Sequence, residues 1–184
     1  MIAGNAYAQE VYNRTLLYAA KAHQGQLFPG TKLPYVVHLA MVTNEVIFAN
    51  QEEDVENLDV ILQMALLHDV LEDTPTTVQE LSLHFEQPVV DGVALLSKKC
   101  NGQKFSFAEY IDRLKGASKE VALVKLCDRI TNLQRPPEFW KTEKILAYLQ
   151  ESKTILDALG GCHFYAARRL ALKIDDYRQY LAPQ

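Results

Sequence analysis

The stretch MALLHDVLEDT, residues 64–74, sets an imidazole and a carboxylate side by side, His68 and Asp69, at the end of an apolar run. A buried polar group without a partner costs roughly 2–7 kcal/mol, and a charge costs more. Something must therefore satisfy the pair. For a lone His-Asp dipeptide, hydrogen bonds within the core are the better explanation. A divalent cation would also serve, because a nitrogen and an oxygen donor together suit ions such as Mn²⁺, Fe²⁺ or Zn²⁺. Two more carboxylates, Glu72 and Asp73, follow at once. At helical spacing His68 shares a face with Glu72, and Asp69 with Asp73. A solvated turn before Pro75 would account for Glu72 and Asp73 but not for His68. Acidic groups at a helix C-terminus also oppose the macrodipole, which a neighbouring cation would offset.

A second set lies in VALVKLCDRITNL, residues 121–133. Leu123, Leu126, Cys127, Ile130 and Leu133 form an apolar stripe, and Lys125, Asp128, Arg129 and Asn132 gather opposite it. Spacings of three and four residues bring Lys125, Asp128 and Asn132 together. An ordinary amphipathic helix also has a wet polar face. What distinguishes this one is its content, since a carboxylate, an amide and two cations suit a metal ion plus phosphates. His38, early in the apolar LPYVVHLA, reads by itself as a satisfied core histidine. His23, His84 and His163 have no metal partner by spacing and are taken as structural.

Helices must position these groups. Periodicity predicts helices over 5–23, 35–49 and 58–72, with a Gly/Pro-rich loop at 24–35. The third of these is apolar nearly all round and belongs in the middle of a bundle. Pro75 ends it. Thr76 or Thr77 caps a short helix to Phe85, and Pro88 opens another through Leu96. Residues 99–104, KCNGQK, read as loop. Further helices are predicted at 105–115, 118–133, 142–159 and 162–181. No alternation is long enough for a sheet. The expected fold is all-α, a single domain over 1–184 built as a helical bundle of about eight or nine helices.

Composition narrows the function. The chain has 184 residues, 48% hydrophobic and 23% charged, enough for one sizeable core. A formal net charge of −4 argues against a nucleic-acid footprint. Cys100, Cys127 and Cys162 are odd in number and widely spaced, which argues against a disulfide framework or zinc knuckle. The first residues lack the build of a signal peptide, and no apolar run suits a membrane span. These features lead us to expect a cytoplasmic protein with a small-molecule partner, no nucleic acid and no membrane. The oligomeric state stays open, a homo-oligomer included.

The order AHQGQ, PYVVH, HDVLEDT, VKLCDRITNL resembles the HD superfamily of metal-dependent phosphohydrolases. The pattern is similar to the hydrolase domain of the RelA/SpoT stringent-response enzymes, and closer to the stand-alone, Mesh1-like small alarmone hydrolases. It spans residues 19–181, and RPPEFWKTEKILAYL adds to it. The resemblance implies that His38, His68, Asp69 and Asp128 are ligands to Mn²⁺, with another divalent ion as the alternative. It implies that Glu72 and Asp73 activate or position the attacking water, and that Asn132 contacts the ribose of a nucleotide. The implied reaction releases pyrophosphate from the 3′ position of (p)ppGpp, or of the adenosine counterpart (p)ppApp. One departure stands out. The family's Arg-Lys pair before Pro-Tyr is replaced by LFPGTKL, which offers Phe28 for stacking on a base and Lys32 for phosphate. Lys98, Lys125 and Arg129 are further candidates for phosphate, and Tyr110 and Arg113 for other substrate contacts. The rivals are another HD-type nucleotide phosphohydrolase (a 5′-nucleotidase or dNTPase), a non-catalytic alarmone-binding module, and a purely structural helical protein.

Overall fold

The computed structural model describes residues 2–100 and 102–181, with side chains from residue 8 onward. In chain order the elements are α1 (Ile2–Ala22), α2 (Val36–Glu52), α3 (Leu58–Leu67), α4 (Val70–Asp73), α5 (Val78–Ser82) and α6 (Gln87–Leu96). Then come β1 (Lys99–Cys100), β2 (Gln103–Lys104), α7 (Phe107–Lys115), α8 (Lys119–Asn132), α9 (Thr142–Leu159) and α10 (Phe164–Tyr177). Short 3₁₀ turns occupy Gly160–Cys162 and Arg178–Leu181. Among the described residues the fold is all-α apart from an isolated bridge between Leu27 and Pro34 and the two-residue ladder of β1 and β2, which pairs Lys99 with Lys104 and Cys100 with Gln103. That ladder corrects the loop expected at 99–104. Gly102, at φ +77°, supplies the left-handed turn that closes it.

The apolar α3 takes the middle, as its pattern requires. Ile61, Met64, Ala65, Leu66 and Leu67 are all buried, and α3 packs against α1, α2, α6 and α8. α2 in turn packs on α8, so α2, α3 and α8 touch one another. α9 and α10 pack together and cover α8. Polar side chains fix several helix starts. Thr77 accepts from Glu80 N, Ser118 from Val121 N, and Ser106 forms a full capping box with Glu109. None of the described helices is long and apolar enough to cross a membrane.

The single helix expected over 58–72 is two. α3 ends at Leu67 and α4 begins at Val70, with Asp69 at φ −100°, ψ −2° between them. Adjacent side chains on an unbroken helix diverge by about 100° and cannot aim at one point. The break lets them do so: His68 Nε2 lies 2.9 Å from Asp69 Oδ2.

Candidate active site

Three helices deliver the candidate ligands. His38 comes from the first turn of α2, His68 and Asp69 from the α3–α4 break, and Asp128 from the last turns of α8. His38 Nε2 and His68 Nε2 face each other at 3.2 Å. One donor atom from each of His38, His68 and Asp69 lies within 4.8 Å of the others. Asp128 Oδ1 sits 3.4 Å from His38 Nε2 and 3.6 Å from His68 Nε2. His68 Nδ1 lies 2.8 Å from the carbonyl of Ala65. A carbonyl only accepts, so Nδ1 carries a proton, and Nε2 is the ring nitrogen turned to the cluster.

Electrostatics favours a cation at this point. Burial works against a positive imidazole, yet the charges of Asp69 and Asp128 hold the pKa of His68 well above its ordinary value. Burial likewise opposes the two carboxylates, but His68 holds Asp69 and Lys125 holds Asp128 well below the usual range. Two ionised carboxylates and two imidazole nitrogens around one spot make a donor set that fits a divalent ion of intermediate hardness.

The surrounding residues hold these donors still. Lys125 Nζ donates to Asp128 Oδ2 at 2.7 Å, and Asn132 donates to Asp128 Oδ1. The Tyr35 hydroxyl donates to Asp69 Oδ2, and burial together with the charge of Asp69 keeps that phenol protonated. Phe28 stacks on the His38 ring at 5.6 Å and 22°. Glu72 and Asp73 flank the cluster. Glu72 Oε2 accepts from the backbone N–H of Lys98 at 2.8 Å, and Asp73 Oδ2 accepts from Gln26 Nε2 at 2.9 Å. Partial loss of solvent raises both acids above the usual carboxylate range, even Asp73 at the exposed edge of the site, and the charge of Asp69 adds to this. Such shifts move a carboxylate toward the neutral range in which a general base works well.

The other candidates fall in different places. Lys125 is nearly buried and its ammonium is used by Asp128. Arg129, 2% exposed, lies over the Tyr148 ring and reaches Glu151 and Ser152. Both cations thus have intramolecular partners. Lys32 is exposed on the 24–35 loop, with no ion pair among the described residues. Lys98 lies beside the rings of Phe107 and Tyr110, without a carboxylate partner among the described residues. Burial and the charge of Lys125 lower its pKa. Tyr110 and Arg113 are corrected from substrate contacts to fold contacts. The Tyr110 hydroxyl donates to Leu96 O at 2.6 Å, and Arg113 donates to Ser97 O and Ala94 O at 3.3 and 3.2 Å. A helix end leaves its last carbonyls without partners, and these two side chains supply them for α6.

Sequence reasoning assigned no role to Tyr35 and Gln26. Both lie in motif segments, PYVVH and AHQGQ, but no helical spacing links them to Asp69 or Asp73. Beside Phe28 opens a cleft of about 700 Å³, lined also by Gly30, Gln134, Arg135, Pro137 and Phe139. At Gly30 φ is +77° and an added Cβ would lie 3.0 Å from the Pro137 ring, so only glycine lets the two walls approach this closely.

The sequence comparison defines the class of protein: the chain belongs to the HD domain family, which it matches over residues 36–133. It is 30% identical over 150 residues to the guanosine-3′,5′-bis(diphosphate) 3′-pyrophosphohydrolase MESH1 of Xenopus tropicalis, covering 78% of this chain and 82% of that one. It is 37% identical over 125 residues to the bifunctional (p)ppGpp synthase/hydrolase SpoT of Escherichia coli, covering 64% of this chain and 17% of that longer protein. A solved structure of a metazoan orthologue of SpoT that hydrolyses ppGpp superposes with a TM-score of 0.75 at 26% identity, over 94% of this chain and 97% of that one.

Proposed function

We propose that this chain, acting as a single domain, is a Mn²⁺-dependent hydrolase that removes the 3′-pyrophosphate of (p)ppGpp or (p)ppApp. One observation carries the reading. Glu72 and Asp73 stand beside the donor set of His38, His68, Asp69 and Asp128, in a chain similar along most of its length to MESH1.

His38, His68, Asp69 and Asp128 would hold the ion. When bound, such an ion eases the ionisation of a nearby water and offsets charge building on phosphate oxygens. Glu72 and Asp73 orient that water and take its proton. Glu72 is fixed for this by the Lys98 backbone. Tyr35, Lys125 and Asn132 keep Asp69 and Asp128 ionised and correctly turned. Lys98, near Glu72 and without a carboxylate partner among the described residues, neutralises phosphate, and Lys32 adds charge from the loop. The nucleoside enters the cleft beside Phe28, where the ring stacks on the base and Asn132 meets the ribose. Arg135, which also lines this cleft, supplies a cation that LFPGTKL lacks.

Purified protein with Mn²⁺ is expected to release pyrophosphate, not orthophosphate or inorganic triphosphate, and EDTA is expected to stop it. Asp69→Ala and Glu72→Ala should each lower kcat by roughly 100-fold or more. Release of orthophosphate from 5′-monophosphates would instead make it a nucleotidase, triphosphate from dNTPs would make it a dNTPase, and tight binding of ppGpp without turnover would make it a binding module.

A further inference from the structure

We infer that Gln26 is a positioning residue for Asp73: its side-chain amide grips one carboxylate oxygen and leaves the other to the attacking water. The inference rests on the hydrolase reading, since that reading is what puts Asp73 at the water.

The amide is oriented without ambiguity. A carboxylate only accepts, so the NH₂ of Gln26 faces Asp73 Oδ2, at 2.9 Å. The amide oxygen then faces His23 Nδ1 at 2.7 Å, and that nitrogen must carry the proton. His23 is a firm anchor. It is 4% exposed and stacks on Tyr35 at 4.8 Å and 29°. The backbone of Gln26 is pinned on both sides as well. Its N–H donates to His23 O, and its carbonyl accepts from Tyr35 N, each at 3.0 Å. Gly25, at φ +84°, makes the tight turn that brings Gln26 back over the end of α1.

Asp73 needs such a hold. It sits exposed at the end of the one-turn α4, just before Pro75, whereas Glu72 is fixed by a backbone N–H. Gln26 is the one side-chain partner of Asp73 among the described residues, and Oδ1 is left without one. Tyr35, which backs His23, also donates to Asp69. A single pinned loop therefore steadies an acid and a candidate ligand from the same side. The burial of His23, which spacing alone left unexplained, serves this purpose.

The test uses Gln26→Leu, which keeps bulk but cannot donate, and Gln26→Glu, which sets a second carboxylate against Asp73. Both are assayed on ppGpp with Mn²⁺, next to the unsubstituted protein and Asp73→Ala. The expected result is a kcat lowered roughly 10- to 100-fold, the scale of a misplaced group, with KM and Mn²⁺ affinity unchanged. In the Asp73→Ala background, Gln26→Leu should cost nothing further, because residues acting as a unit are not additive. A raised KM at unchanged kcat, a parallel loss of Mn²⁺ affinity, additive losses, or an unaltered rate would each overturn the assignment. If the unsubstituted protein releases no pyrophosphate, the hydrolase reading fails on its own. The clamp is then decided by NMR of the Gln26 side-chain amide: signals that shift in Asp73→Ala uphold it, and signals that stay put overturn it.

Discussion

Lys125 donates at 2.7 Å to Asp128, and both side chains are at most 10% exposed. At that depth an ammonium is costly by itself, and the pair stands only because each charge answers the other. Of the polar face predicted for α8, Lys125, Asp128 and Arg129 are buried and Asn132 is half-buried. Replacing Lys125 with Met keeps the bulk and leaves Asp128 without its main counter-charge. The expected loss is about 3–5 kcal/mol of unfolding free energy, the usual result of removing one partner of a buried pair. Urea unfolding in EDTA measures it, and a loss near zero would show that water reaches Asp128.

At the scale of elements, the wall behind Glu72 is built by the end of α6 and the start of α7. Tyr110 and Arg113 of α7 satisfy the last carbonyls of α6, and the next residue, Lys98, gives its N–H to Glu72. Helix α7 thus helps set the position of Glu72, the carboxylate proposed to act on the water. Its capping box is the adjustable part: the hydroxyl and backbone N–H of Ser106 both bond Glu109 and hold its carboxyl below the usual glutamate range. A folded pKa below the unfolded one means stability that is present above the unfolded value and lost as pH falls through the folded value. Ser106→Ala should accordingly lower the melting temperature at pH 7. The gap to the parent should narrow in acid, once Glu109 is protonated in both. Thermal unfolding from pH 7 down to pH 3 checks this, and a gap that widens in acid would contradict it.

Across the whole molecule, α2, α3 and α8 come together at the donor set, and the 24–35 loop closes over it through Tyr35, Gln26 and Phe28. An ion held there ties distant parts of the chain to one point and binds the folded state alone. Mn²⁺ at about 100 times its Kd should then add about 2.7 kcal/mol of stability by mass action. Differential scanning fluorimetry should show an upward shift with Mn²⁺ that EDTA reverses and Asp69→Ala abolishes. An equal shift in Asp69→Ala would place the ion elsewhere.

Much of this protein is local information. Helical periodicity marked α1, α2, α6, α8 and α9 to within a few residues, because each carries an apolar face that only a 3.6-residue repeat can present. The pairing of Lys125, Asp128 and Asn132 was also legible, since a helix brings neighbours three and four apart together. The sequence by itself determined the helical class, the central place of α3, and the residue types able to hold a cation. Only the tertiary structure decided how those types are used. It divided the helix expected over 58–72 into α3 and α4 at His68–Asp69, where the two side chains meet. It set Tyr110 and Arg113 to capping α6, and it joined Gln26 to Asp73 and Tyr35 to Asp69 across gaps that no repeat spans. Those contacts depend on how a loop folds back over the bundle, and its course is fixed by Gly25, Gly30 and the surfaces they approach rather than by any periodicity.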